Sequence, residues 1–485
     1  MFYNWQNAQP AFRMTLIRTV FKNTLALTIA NLFSKLIAAI IGILLVRYLG
    51  TAGFGEYSAA TALAMFFVAF TDLGFGQLIV REGSRNLESL SACLSNALLV
   101  RAVLSFAVFA LMLIIASHLT SYRDILPLLL ILGFCVFLGE LHNIFFRAFQ
   151  ASQEMVFTGI FQLVKSILAG TVIYLLIRSS SSLYAIAWGQ TIAVAFVTFF
   201  IIVFIVRKYS IRFKPKELLA AFKEALPFGL AGMLLLAYLQ MPTILLSVLK
   251  SKAEVGLFSA SFKMIATLYF VPQIISNVIY PILFKLGAED LEKHQKTYTA
   301  MYRFSSSLGI PASLALFLLA EPIVYFLFGT EFGGAIGVLK AVSWLFALQC
   351  MSYPLADALT TADFQWHRTF MHMITLGLCL GFCLLLIPHY GALGAGLALL
   401  FAELISLCGF QFLTCILLKG EIVLFKNPLT WLSALIMGII IFALVPRLNF
   451  LIVLSIGMLF YFLSLLVIDR PFAAEFGIVI KKLKQ

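Results

Sequence analysis

Residues 24–46 read TLALTIANLFSKLIAAIIGILLV, and residues 47–57 continue as RYLGTAGFGEY. The first stretch carries one charge, Lys35, in 23 residues. At 1.5 Å of rise per residue such a helix spans about 34 Å, enough to cross a hydrocarbon core of about 30 Å. The second stretch, with Arg47 and three glycines, reads as a turn at the membrane surface. A charge near the bilayer centre costs about 3 kcal/mol on insertion scales, so Lys35 is expected to face a partner or a water-filled interior rather than lipid. Arg101, Lys165, Lys263 and Lys340 repeat the pattern as lone basic residues inside apolar runs.

The whole chain agrees with that opening. Its 485 residues are 62% hydrophobic and 11% charged, with 48 phenylalanines and a mean hydropathy of +1.03. Soluble domains do not have this composition; an all-α polytopic membrane protein does. The net charge of +13 does not point to nucleic acid, because the basic residues collect in short connections between apolar runs. Cys93, Cys135, Cys350, Cys379, Cys383, Cys408 and Cys415 all fall in apolar segments and read as small buried hydrophobes. Cys379 and Cys383 are one helical turn apart, but no histidine or acid beside them completes a metal set. There is no P-loop, no HExxH and no recognisable Ser/His/Asp spacing. No enzyme activity, metal or cofactor is expected.

Fourteen spans are expected, with cores at 24–46, 57–80, 92–116, 125–146, 155–177, 183–206, 228–249, 255–284, 304–328, 335–359, 369–388, 393–418, 428–446 and 448–468. With the N-terminus in the cytoplasm, 23 of the 34 basic residues fall on the inner side and 6 on the outer, the other 5 being the lone residues named above. That asymmetry sets both termini in the cytoplasm of a multi-pass protein of the cytoplasmic membrane. Residues 1–23 then form an amphipathic cytoplasmic N-terminus, without a cleavable signal peptide. The expected division continues with an N-lobe at 24–206, a cytoplasmic linker at 207–227 and a C-lobe at 228–418. A further pair of helices covers 419–468, and a basic cytoplasmic tail covers 469–485.

The halves echo each other. Gly55-Glu56-Tyr57-Ser58-Ala59-Ala60 opens span 2, and Gly256-Leu257-Phe258-Ser259-Ala260-Ser261 opens span 8, at an offset of 201 residues. Six spans is an even number, so the halves share one orientation. This is a parallel repeat about an axis along the membrane normal, a common plan in transporters.

Depth ranks the charges. Lys35, Arg101 and Lys165 fall near the middle of spans 1, 3 and 5, and Lys263 in the outer half of span 8. These four are the candidate cargo-binding residues of a cationic cavity, and Lys340, near the outer end of span 10, can snorkel. Asp72, in Thr71-Asp72-Leu73-Gly74-Phe75-Gly76-Gln77, joins Glu140 and Glu403 as candidates for ion coupling. The plain alternative for each is an internal salt bridge to one of the basic residues. Pro242, Pro272 and Pro281 are expected to kink spans 7 and 8.

The stretch from Val46-Arg47-Tyr48-Leu49-Gly50 through Asp72-Leu73-Gly74 to Val80-Arg81-Glu82 resembles polysaccharide flippases. The family is the Wzx-type group of O-antigen and teichoic-acid exporters, in the superfamily shared with multidrug and toxic-compound extrusion transporters. Phe328-Gly329 followed by Glu331-Phe332 is similar to it as well. The resemblance implies two six-helix lobes around a cavity, two extra C-terminal helices, and export of an undecaprenyl-pyrophosphate-linked oligosaccharide by alternating access. The partners it implies are that anionic lipid-linked oligosaccharide, membrane lipids, and polymerase or assembly proteins of surface polysaccharide. The alternatives are a drug–cation antiporter, for which the surplus of Lys and Arg is unsuited, and a lipid II-type flippase. A membrane glycosyltransferase lacks the long external loop its chemistry needs, and an assembly scaffold has no use for buried charge.

Overall fold

The computed structural model describes the backbone of residues 10–71, 74–76, 78–80, 87–152, 154–209, 215–424 and 427–468. Of these, side chains are described outside 10–26, 87–89, 92, 215–231 and 466–468. Every regular element among the described residues is a helix. The chain divides into two compact units, Met1–Val248 and Leu249–Gln485, a division at the end of span 7 where the sequence spacing put it in the polar 207–227 connection.

In the first unit, helices α1 (10–49) and α2 (51–68) meet at Gly50, whose φ of 66° lies in the left-handed region that glycine enters without a Cβ penalty. α1 runs unbroken from residue 10, so the N-terminal stretch and span 1 share one helix. α2 closes in a 3-10 turn, Ala69–Thr71, well short of the expected residue 80, and Gly74 follows at φ 86°. After it come α3 (Leu87–His118), α4 (Leu126–Ala151), α5 (Met155–Arg178), α6 (Leu183–Lys208) and α7 (Pro215–Leu249). Ser182 caps α6 by accepting the Ala185 N–H at 3.3 Å. α7 absorbs the amphipathic part of the expected linker into the helix of span 7.

The turns of this unit sort to two ends. Tyr48 donates to the Ser181 carbonyl at 2.7 Å, and the Ser247 hydroxyl donates to Tyr122 at 2.6 Å. The turns after spans 1, 3, 5 and 7 are thereby linked in pairs. At the opposite end Ser152, after α4, meets the Tyr209 hydroxyl at 3.0 Å. That is the up-and-down alternation the charge count requires. α4 is the central helix: 56% of its most apolar window is buried, against 11% for α3 and for α5.

The second unit repeats the plan. α8 is Lys252–Leu268 continued by Phe270–Glu289. α9, Leu291–Leu318, bends by 75° into Ala320–Phe328. Pro322 explains the bend, because it lacks an N–H and its ring clashes with the carbonyl four residues back, at Leu318. α10 (Ala335–Thr361) is followed by α11 (365–390) and α12 (392–417), which meet at Gly391, with φ 55°. Pro428–Leu444 and Phe450–Ile468 are α13 and α14. Glu254, beside the turn before α8, accepts the Ala392 N–H at 2.6 Å, and Lys250 donates to the Pro388 carbonyl at 2.8 Å. α10 is the buried centre, with 72% of its window inside the protein. The fourth helix of each six-helix set is therefore the hub, a structural counterpart of the echo at offset 201.

Nine helices among the described residues are long and apolar enough to cross a membrane, or ten with the bent α9. Two of the nine are split by Gly50 and Gly391, and α13 and α14 are shorter apolar helices. Each of the fourteen expected cores thus has its own helix.

Candidate functional site

The site begins with how α4 is turned. The His142 Nε2 lies 2.7 Å from the Thr198 Oγ1, both buried, which pins one face of α4 to α6. The Thr191 hydroxyl adds a bond to the Ile131 carbonyl at 3.2 Å. Residues two apart on a helix lie on nearly opposite faces, and residues three apart share one. Fixing His142 against α6 therefore turns Glu140 and Asn143 together to the other side.

There they meet α3. Arg101 Nη2 donates to Glu140 Oε2 at 3.2 Å, and Asn143 Nδ2 donates to the same oxygen at 2.6 Å. The pair is unequal in exposure: the Arg101 side chain is 3% exposed and that of Glu140 is 32% exposed. Lys165, on α5, is half-buried and interacts electrostatically with Glu140 and Cys135, and also with His142. Three sequence candidates, Arg101, Glu140 and Lys165, are thus brought together on the three helices expected to carry them.

Lys35 lies at a similar depth. α1 and α5 run side by side, with Tyr48 bonded to Ser181 and Gly170 packed against Ile37 and Ile41. Tyr48–Ser181 and Ile37–Gly170 are both 133 residues apart. The same offset sets Lys35 level with Leu168, three residues from Lys165, or about 4.5 Å along the axis. A side chain at Gly170 would meet Ile37 and Ile41 at 3.2 Å, so glycine there lets the two helices approach. Asp72 lies outside the described residues.

The second unit disperses its candidates. Lys263 is exposed on α8. Glu403 is buried on α12, within electrostatic range of Tyr269, Tyr353 and Cys379. Lys340 is exposed, its ammonium 6.0 Å from the centre of the Phe317 ring. The sequence reading does not single out Asp357. This acid near the end of α10 is 3% exposed and pairs with Arg368 at 3.2 Å. It also accepts a hydrogen bond from the Ser276 hydroxyl, and Arg368 donates to Thr360 Oγ1 at 3.0 Å. Its place inside the expected 335–359 span was the available signal, and Arg368 had been assigned to the adjoining connection.

Two further features lie nearer the end of the first unit. Lys208 pairs with Glu154, its ammonium 5.4 to 6.0 Å from the rings of Phe149, Phe157, Phe204 and Tyr209. A cavity of about 250 Å³ lies between α3, α4 and α6, lined by apolar groups including Leu94, Leu98, Phe145 and Ile205.

Known proteins supply the wider frame. The fold is similar to that of the lipid II flippase MurJ in its inward closed conformation, with a TM-score of 0.76, 16% identity, and coverage of 92% of this chain and 99% of that one. The chain thus shares the polytopic helical fold of that structure. A putative O-antigen transporter of Shigella dysenteriae is 23% identical over 380 residues, covering 74% of this chain and 91% of that protein. A probable flippase of Haloferax volcanii, AglR, is 23% identical over 388 residues, covering 76% and 78%. Residues 20–287, more than half of the chain, match the family described as polysaccharide biosynthesis protein, and the chain belongs to that family.

Proposed function

We propose that the protein is a flippase, carrying an undecaprenyl-pyrophosphate-linked oligosaccharide across the cytoplasmic membrane by alternating access for surface polysaccharide synthesis. The observation that carries the reading is the cluster at mid-helix in the first unit. Arg101 is almost fully buried, with Lys165 interacting electrostatically with the same carboxylate, and Lys35 lies at a similar depth. Charges at that depth are costly, so they persist where they act. A cationic interior draws in phosphate-bearing cargo and offsets the cost of bringing a pyrophosphate into a medium of low dielectric constant. Arg101 suits a phosphate through its forked donors, and lysine serves as a point charge. The family, and relatives named as a flippase and an O-antigen transporter, support the same reading.

In this reading both termini lie in the cytoplasm, Lys263 adds to the cargo path from the second unit, and Asp72 and Glu403 are candidates for ion coupling. Proteins of polymerisation and assembly consume the exported unit, and the chain itself carries out no chemistry on it. The test is deletion of the gene, followed by assay of surface polysaccharide and of lipid-linked oligosaccharides. Loss of surface polymer with repeat units held on the cytoplasmic side is the expected result. An unchanged glycan profile with new sensitivity to cationic drugs would instead support an extrusion antiporter.

A further inference from the structure

Arg101 is the buried member of its pair and Glu140 the accessible one. The carboxylate is therefore the member of the pair that an incoming group can reach. One of its oxygens, Oε2, takes two donors, Arg101 Nη2 at 3.2 Å and Asn143 Nδ2 at 2.6 Å. Asn143 is exposed, and Lys165 interacts with the same carboxylate from α5. Guanidinium and amide on one anionic oxygen, with an ammonium adding to the positive field, form a donor set that a phosphate oxygen accepts equally well.

We propose that Glu140 is an internal stand-in for the cargo's phosphate: its carboxylate occupies the Arg101–Asn143 donors between cycles, and cargo binds by exchanging with it. This inference rests on the flippase reading and adds how the site is regulated. The physical reason is competition for the same donors: a carboxylate and a phosphate both accept charge-assisted hydrogen bonds from guanidinium and amide groups. Exchange of one for the other keeps an anion on these donors throughout the cycle. Glu140 is partly exposed, so its side chain has room to swing aside while Arg101 stays in place. The carboxylate's return then displaces the cargo, and release needs no separate device.

Weaker binding and faster release should therefore depend on the same residue. The experiment uses the full-length protein purified in detergent, with farnesyl pyrophosphate as the anionic probe and farnesol as its neutral counterpart. In the Glu140→Gln variant the competing charge is gone while Arg101 and Asn143 remain. Its affinity for farnesyl pyrophosphate should rise about tenfold, the value of one charge-assisted hydrogen bond, and its affinity for farnesol should not change. Export of surface polysaccharide by the same variant should fall. A merely structural role for Glu140 would not raise affinity while lowering turnover. If Glu140→Gln does not fold, Glu140→Asp decides, because it keeps the charge but withdraws the carboxylate by one methylene. It should bind the pyrophosphate about threefold more tightly than the wild type. Farnesyl pyrophosphate binding that Arg101→Ala removes, and that the folded Glu140 variant leaves unchanged or weakens, overturns the exchange and leaves the flippase reading standing. Absence of pyrophosphate-dependent binding in the wild type and the Glu140 variant alike, with normal export by Arg101→Ala, overturns both.

Discussion

The two units each join an arginine to an acid on their central helix, and they do so in opposite senses. In the first, the buried member is the cation: Arg101 is 3% exposed and Glu140 32%. In the second, the buried member is the acid: Asp357 is 3% exposed and Arg368 27%. The depths differ too. Glu140 lies mid-way along α4, whereas Asp357 lies four residues before α10 ends at Thr361. The first arrangement holds positive charge where lipid would surround it and leaves the carboxylate accessible. The second uses a charged pair to tie three helices, with Ser276 inside α8, Asp357 near the end of α10 and Arg368 near the start of α11 in one chain of bonds. The same pairing of residue types is thus a site in one unit and a clamp in the other.

The sharpest way to break this contrast is to remove each arginine. Arg101→Ala should lower surface polysaccharide at least about tenfold at normal protein abundance, the scale expected for a lost charge-assisted contact to the travelling group. Arg368→Ala should leave export within about twofold per folded molecule, yet cost about 3 kcal/mol of stability by stranding Asp357, read as a lower melting temperature in detergent. Equal loss of export in both, at equal abundance, would erase the distinction. Lys165→Ala sharpens the picture of the first unit. A point charge beside the fork should matter less than the fork, and export should fall about threefold. Loss as deep as that of Arg101→Ala would make the lysine an equal ligand.

The smallest effect concerns the polar end of the second unit. His294, near the start of α9, is buried with its Nε2 2.8 Å from Thr361 Oγ1, and burial holds its pKa below the ordinary value. A histidine with a depressed folded pKa favours the folded state above its unfolded pKa of about 6.5, and that contribution is lost as pH falls. The melting temperature should therefore drop between pH 7 and pH 5, and drop less in His294→Gln. Equal slopes would remove His294 from the account.

What could be read from the sequence follows the range of each signal. Span positions were legible because about 20 apolar residues announce a crossing whatever surrounds them. The turn at Gly50 was legible because arginine and glycines follow the first span directly. The early end of α2 was missed although Thr71, Asp72, Gly74, Gly76 and Gln77 stand inside the expected span: a few polar or small residues do not by themselves end a crossing, and the interruption shows in the backbone conformation at Gly74. The meeting of Arg101 with Glu140 could be anticipated because few acids lie at that depth. The donor from Asn143 depends on the rotation of α4, set by His142 and Thr198, and no local pattern encodes that. Asp357 and Arg368 are joined across a helix connection, where a depth count assigns one residue to the membrane and the other to a loop. The ring of aromatics around Lys208 draws on three helices and is invisible to any window along the chain.

The contacts of Glu254 and Lys250 with the α11–α12 turn carry a consequence for biosynthesis. Both bonds join residues 138 positions apart. At translation rates of about 5–20 residues per second, the partners of these side chains emerge roughly 7–28 s after them. Through that interval α8, α9, α10 and α11 enter the membrane with the Glu254 carboxylate still waiting for its backbone N–H. The last-made part of the repeat closes the first-made part, so a chain halted during insertion before residue 392 leaves the second unit unfastened at that end, exposed to the quality-control proteases of the membrane.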